Sequence, residues 1–414
     1  MSTQTASPGA PPATAESGSR LVAVDALRGL AALGVVTFHS APSGRFAWWG
    51  LGILHQDLDF GLMVFFTISG ALIAAPFIAA MVDGRRRPSL RNFAIRRAAR
   101  IFPAYWVALL GIVLITPGIP WWQPVVHGLL LQNVVPGQID QLIYPAWTLE
   151  VEAVFYAVLA GVAWLVFRRN RRVDVDLAAA VVLGLWVASL LVTLVADLVT
   201  TPLTPAAEIS KYTFPAQLAY ICPGLLLALM GTQAARGRGR WWAWLDRLFD
   251  RPVPLLAVSA LFIAGGMLMT ASIFGVTVRD LHREPFGVAA GLLVGGALRH
   301  ERSLRPVARL ILPLGLITYS LYLWHVVVIH ELRSLHIYPV DSGILSWPLT
   351  WLLLVAAAGA VGAASYLLVE RPALRWSIAR SQLRALGSEK PAALLPHLGH
   401  RAEPAAEPEV VASR

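Results

Sequence analysis

The chain alternates between long apolar runs and short polar, mostly basic links. Apolar runs cover approximately residues 22–41, 59–80, 101–117, 147–167, 175–197, 214–232, 253–275, 285–298, 310–330 and 347–369. An α-helix of roughly 20 residues crosses a hydrocarbon core about 30 Å thick, and most of these runs approach that length. Inside lipid every backbone polar group must be satisfied within its own segment, which makes each run a helix. The pattern therefore predicts an all-α polytopic membrane bundle of about ten transmembrane helices. The eighth run is short and rich in glycine, and its placement rests on the links around it.

Those links are asymmetric. The one after the second run, DGRRRPSLRNFAIRRAAR, holds Arg85, Arg86, Arg87, Arg91, Arg96, Arg97 and Arg100. FRRNRR follows the fourth run, Arg236, Arg238 and Arg240 the sixth, and Arg299, Arg302 and Arg305 the eighth. Lys and Arg in short loops are retained on the cytoplasmic side. Every even-numbered exit is then cytoplasmic, and so are both termini. Deleting the eighth span would invert everything after it, so the alternation supports that span. Residues 1–20, rich in Ser, Thr, Ala, Pro and Gly and without a basic start or apolar core, read as a disordered cytoplasmic tail rather than a signal peptide. The membrane domain occupies 21–372, and 373–414 reads as a mostly disordered second tail. No internal repeat and no appended soluble enzyme domain is read.

Composition agrees with this class: 57% of residues are hydrophobic, 14% are charged, and the mean hydropathy is +0.62. A net charge of +10 would suggest nucleic acid if it lined one soluble face. Here it is divided among loops between apolar runs, so it reports membrane orientation and predicts no nucleic-acid partner. Cys222 is the only cysteine; it can form neither an internal disulfide nor a cysteine-rich metal site, and reads as packing. No metal site is predicted.

Polar residues inside the runs carry the candidate chemistry. Arg28 and His39 lie eleven positions apart in the first run. At about 100° per residue this returns to within roughly 20° of one face, about 16 Å further along. Ionisable groups at bilayer depth are costly and default to functional roles facing protein or a water-filled cavity, although a basic side chain near a helix end can snorkel to the interface. The fourth run carries Glu150 and Glu152 close to its outer end, which sets Glu152 at the depth of His39. A carboxylate beside an imidazole raises its basicity and fixes its tautomer, making a general base; the same two groups could equally be an ion pair that staples two spans. Tyr319, Tyr322 and His325 on the ninth run point to a polar cavity in the outer half, or to interfacial anchoring.

Taken in order, these segments resemble the acyltransferase 3 family, integral-membrane acyltransferases of sugars, polysaccharides and some natural products. DALRGLAALGVVTFH is similar to the family's opening Arg and His motif, and VFFTISGALI to its second-span block ending at Ser69 and Gly70. RRAARIFPAYW resembles its Arg-x-x-Arg segment, here Arg97 and Arg100, followed by Pro103, Tyr105 and Trp106. WTLEVEAVFY resembles the block that assigns the family glutamate to Glu152 rather than Glu150. LGLITYSLYLWH, ending in His325, and SYLLVERP, with Glu370 before Pro372, resemble the last two blocks. Departures are Met63 where many members have Asp, Ala71 for a common Phe, and Thr148 and Thr318 for the more usual serines. They bear on the pocket and the acceptor more than on the reaction class.

The resemblance implies transfer of an acyl group, acetyl by default, from acyl-CoA as co-substrate to a hydroxyl of a carbohydrate, lipid-linked glycan or glycosylated metabolite, with no permanently bound cofactor. It implies His39 as general base and Glu152 as its orienting group, because an acceptor hydroxyl is a poor nucleophile until its proton is taken. Arg28, Arg97 and Arg100 would meet the anionic donor, or, for the last two, simply retain positive charge in the cytoplasm. Ser69 could carry the acyl group transiently or serve helix packing beside Gly70. A proton-coupled transporter or flippase using Arg28, His39 and Glu152 as a relay is the competing class, and a non-catalytic membrane scaffold is a second.

Overall fold

The computed structural model describes residues 21–40, 57–199, 205–235, 239–268, 271–273, 276–278, 283–337 and 346–382. All ten apolar runs fold as helices. They are α1 (Val22–Ser40), α2 (Leu58–Val82), α3 (Leu90–Ile115), then a short α4 (Trp122–Gly128), and α5 (Trp147–Arg168). Next come α6 (Val175–Val199), α7 (Pro205–Tyr212), α8 (Phe214–Met230), α9 (Arg240–Phe249) and α10 (Pro252–Leu268). The order closes with α11 (Glu284–Arg299), α12 (Glu301–Ser334), α13 (Ser346–Ser365) and α14 (Arg371–Gln382). Among the described residues eight helices are long and apolar enough to span a membrane, or nine if the bent pair α9 and α10 counts as one. The remaining run of the ten is α11, which has 16 residues and falls short by length.

Three details differ from the sequence pattern. The seventh run was expected to stay helical to 275, but it stops at Leu268 and a two-stranded antiparallel ribbon, Ala271–Ile273 with Val276–Val278, follows. The β-branched residues of ASIFGVTV suit a pleated surface better than a helix. α9 turns 95° into α10, where Pro252 disfavours continuation of the preceding helix. α9 buries Trp242, whose indole donates to Asp176 at 2.8 Å, and exposes stacked Trp241 and Trp244. Finally, α14 adds a helix to Gln382 at the start of the mostly disordered stretch expected from 373; residues 1–20 and 383–414, where the two tails were expected, lie outside the described residues.

Two close helix crossings position the site. α2 is the central helix, with 72% of its most apolar stretch buried against 22% for α6. It meets α8 through Gly70 and Gly224: a Cβ on Gly70 would lie 2.4 Å from the Ile221 carbonyl oxygen, and one on Gly224 2.0 Å from that of Thr67. α1 meets α12 in the same way, since a Cβ on Gly315 would lie 2.2 Å from the Asp25 carbonyl oxygen and one on Gly29 2.9 Å from the Gly315 nitrogen. Without a hydrophobic drive between helices in lipid, such close approach is how spans adhere. The α1 start is also pinned to α12: the Val22 and Ala23 amides donate to the Glu301 carboxylate at 2.7 and 2.9 Å. A carboxylate there satisfies amides that the helix leaves unpaired and complements its dipole.

Candidate functional site

A cavity of about 510 Å³ runs between α2, α3, α5 and α12. Along α2 its wall extends from Leu62 to Phe77, about 22 Å at the helical rise. It continues to Arg85, Arg86 and Arg87 beyond the helix end. Seven arginines line it (Arg28, Arg85, Arg86, Arg87, Arg96, Arg97 and Arg100) against one carboxylate, Glu152. The segment read from sequence as an orientation signal is thus also the mouth of a strongly cationic cavity. Toward the other end the lining becomes Leu62, Phe65, Phe66, Leu149, Thr148 and Tyr322, mostly apolar.

The arginines are not equivalent. Arg100 pairs with the buried Glu370, which also accepts from Ser320 Oγ at 2.8 Å, and its guanidinium lies 5.2 Å over the Tyr319 ring. Tyr319 in turn donates to the Ile101 carbonyl at 2.7 Å. Arg100 is therefore a wall residue with its own counter-ion. Arg97 lies 5.5 Å over the Tyr156 ring, and the Nε atoms of both Arg97 and Arg28 are buried without a hydrogen-bond partner. A buried guanidinium N–H without an acceptor is costly, and an anionic ligand with planar oxygen pairs can supply one. Glu152 spends its bonds locally: its Oε1 accepts from Ser69 Oγ at 3.0 Å and from the Tyr156 hydroxyl. Glu152 and Tyr156 are four residues apart on α5 and share its face. Ser69 opens a π turn, Ser69–Ile73, in α2, a local widening frequent at functional sites.

His39 and His325 do not line this cavity. They form a pair beside its apolar end, with His39 Nδ1 and His325 Nε2 3.1 Å apart. His39 Nδ1 also lies 2.9 Å from the Val35 carbonyl, and His325 Nδ1 2.8 Å from the Tyr322 carbonyl. A carbonyl oxygen only accepts, so both Nδ1 atoms carry hydrogen. In the neutral pair the single His39 Nδ1–H is shared between the Val35 carbonyl and the His325 Nε2 lone pair, and His39 Nε2 carries a lone pair with no hydrogen-bond partner among the described residues. Tyr322 touches both compartments: it lines the cavity, and its ring centre is 5.8 Å from that of His325.

The expected pairing of His39 with Glu152 is therefore not the one formed. The reason is the register of α1 on α12. His39 stands ten residues after Gly29, and His325 ten after Gly315. Two helices in contact at those glycines and running in the same direction carry both histidines to the same depth about 15 Å further on, where the rings meet at 3.1 Å. Of the residues singled out from sequence, Arg28, Ser69, Arg97, Arg100, Glu152 and Tyr319 share the cavity wall, while His39 and His325 share the neighbouring pair. Glu150 is structural in its contacts, accepting from the Asn133 amide at 2.8 Å. Residues the sequence reading assigned elsewhere or passed over are Arg85, Arg86, Arg87, Arg96, Thr148 and Tyr156, all on the cavity wall.

Comparison with known proteins agrees with these features. Residues 21–369 match the acyltransferase domain family. The exopolysaccharide production protein ExoZ of Rhizobium meliloti (strain 1021) is 30% identical, over 77% of this chain and 90% of that one. No solved structure matches. With nearly its whole membrane region inside that match, the chain belongs to the acyltransferase 3 family of multi-pass membrane acyltransferases.

Proposed function

We propose that the protein is an O-acyltransferase that moves an acyl group, acetyl by default, from acyl-CoA to a hydroxyl of a carbohydrate acceptor, with His39 as general base. The carrying observation is the juxtaposition of two unlike compartments at Tyr322: an arginine-lined cavity and a histidine pair with one open nitrogen. Retention of basic loops argues that the Arg85–Arg87 mouth faces the cytoplasm, where an anionic donor arrives. Arg28 and Arg97, with buried unbonded Nε atoms, would take phosphate oxygens. The apolar wall of Leu72, Ile73 and Phe77 suits the uncharged arm of the donor, whose thioester would then lie toward Tyr322.

At that end the acceptor hydroxyl hydrogen-bonds His39 Nε2. Its oxygen attacks the thioester carbon as its proton passes to Nε2, the new C–O bond forms, and the C–S bond breaks. The thiolate of CoA then takes the proton from the imidazolium. While it exists, that imidazolium is supported by the Val35 carbonyl, one turn back on α1, and by the His325 lone pair, both acceptors of its Nδ1–H. The name of the ExoZ relative favours an exopolysaccharide or related surface glycan as acceptor. The test compares intact surface glycans by mass in a deletion strain carrying either the wild-type gene or His39→Ala. The acyl increment should return with the first and fall by roughly a hundredfold or more with the second. Equal acylation in the two strains would defeat the assignment of the base.

A further inference from the structure

We infer that Tyr322 is the end wall that limits the length of the transferred acyl group, acting with Phe65. The inference rests on the reading of the cavity as an acyl-CoA site and goes beyond it by assigning specificity to a residue. Tyr322 is fixed at both ends. Its hydroxyl lies 2.9 Å from the Pro145 carbonyl and 3.0 Å from Thr148 Oγ1, and Thr148 Oγ1 is itself 3.0 Å from the same carbonyl. Two hydroxyl protons thus have one carbonyl and each other's oxygens as acceptors, and both are used. The ring meets that of Phe65 edge-on at 6.1 Å, and Phe65 also lines the cavity.

The consequence is geometric. The thioester carbonyl has to lie at the edge of Tyr322 to meet the hydroxyl held by His39, so whatever follows the carbonyl carbon has only the space that Tyr322 and Phe65 leave. A methyl group needs little of it. Each added methylene presses on a ring whose displacement breaks buried hydrogen bonds without offering replacements, which is a steeper barrier than an ordinary apolar pocket presents. Nothing comparable closes the arginine end, where Arg85, Arg86 and Arg87 lead out of the cavity.

The experiment is equilibrium binding of CoA, acetyl-CoA, butyryl-CoA and hexanoyl-CoA to the purified full-length protein and to Tyr322→Ala, Tyr322→Phe and Phe65→Ala. Wild-type affinity should fall from acetyl to hexanoyl. In Tyr322→Ala the ratio of butyryl to acetyl affinity should rise at least about tenfold. Tyr322→Phe keeps the ring but releases it from Pro145 and Thr148, and should give a ratio between those of the wild type and Tyr322→Ala. Phe65→Ala should also rise, which keeps the test open if Tyr322→Ala fails to fold, and CoA binding reports folding in each variant. Wild-type ratios in both alanine variants, with CoA still bound, would overturn the end-wall assignment and leave the donor reading standing. Failure of the wild type to bind CoA at all would remove the donor reading and this inference together.

Discussion

Replacement of His325 isolates the chemistry that the geometry assigns to the histidine pair. His325 is completely buried, and its Nε2 is the acceptor 3.1 Å from His39 Nδ1. Phenylalanine at this position preserves an aromatic ring and removes that acceptor. In the ground state the lost bond is neutral, worth about 1 kcal/mol; against the imidazolium of the transition state it is charge-assisted, worth about 1.5–3 kcal/mol. The differential part lowers turnover, so His325→Phe should reduce kcat by roughly 2- to 30-fold with little change in donor KM. His325→Gln can offer an amide oxygen near the old Nε2 and should recover part of the loss. Initial rates of radiolabelled acetyl transfer from acetyl-CoA to endogenous glycan in isolated membranes provide the assay. The decisive comparison is in the His39→Ala background, where there is no imidazole left to support and His325→Phe should cost almost nothing. An undiminished further loss there, or a loss carried wholly by KM, would refute the pairing. Glu152→Gln, by contrast, should act on donor KM and combine additively with His39→Ala, because its carboxylate bonds Ser69 and Tyr156 inside the cavity.

Three other outcomes follow from particular contacts. Arg28→Ala should weaken acetyl-CoA binding about tenfold or more, and Arg28→Lys should not restore it, since a point charge does not replace a planar fork; unchanged affinity by equilibrium dialysis would exclude the donor role. Gly315→Ala places a Cβ 2.2 Å from the Asp25 carbonyl oxygen, so it should lower both Tm and acyl transfer by forcing α1 off α12. Gly161→Ala, with nothing within 4 Å, should do neither, and matching behaviour of the two variants would contradict the crossing. Burial lowers the His127 pKa to about 4 from 6.5. The unfolded chain therefore binds the proton first, and stability is full above about pH 6.5 and declines as pH falls toward 4. Tm of the purified protein should drop between pH 7 and 5, and His127→Phe should lessen the drop; parallel curves would show that His127 is not its source.

Legibility of the sequence divides along a physical line. Helices in lipid are specified one segment at a time, by length and apolarity, because each must satisfy its own backbone. That is why all ten runs could be read, and why the difference lies where a run ends, at Leu268, where β-branched residues leave the helix. The cavity was half legible. Arg28, Arg97, Arg100, Ser69 and Glu152 were singled out individually, yet the pairing of Arg100 with Glu370 joins residues 270 positions apart, and no local pattern states it. The cationic mouth was visible but read only as orientation; Arg85, Arg86 and Arg87 serve both descriptions because a loop that remains in the cytoplasm also stands where a cytoplasmic anion would enter.

Depth pairs His39 with Glu152, whereas the structure pairs it with His325 and gives Glu152 to Ser69. Depth alone matched His39 to Glu152, but depth is one coordinate, and two helices at equal depth need not be neighbours. Adjacency is set by which faces can approach closely, and in a membrane that means small residues. RGLAALGVVTFH and GLITYSLYLWH each place a glycine ten residues before a histidine. Two like-directed helices that touch at those glycines carry the histidines to equal depth about 15 Å later, but ten residues turn each about 80° from its glycine's face, so the 3.1 Å contact of the rings belongs to the tertiary structure and not to the spacing. The histidine pair depends on that packing: a methyl group added at Gly29 or Gly315 would shift α1 against α12 and so displace His39 from His325 without touching either. Glu152 stays with the arginine-lined cavity because its helix, α5, shares that wall with α2, and Ser69 of α2 donates to its carboxylate.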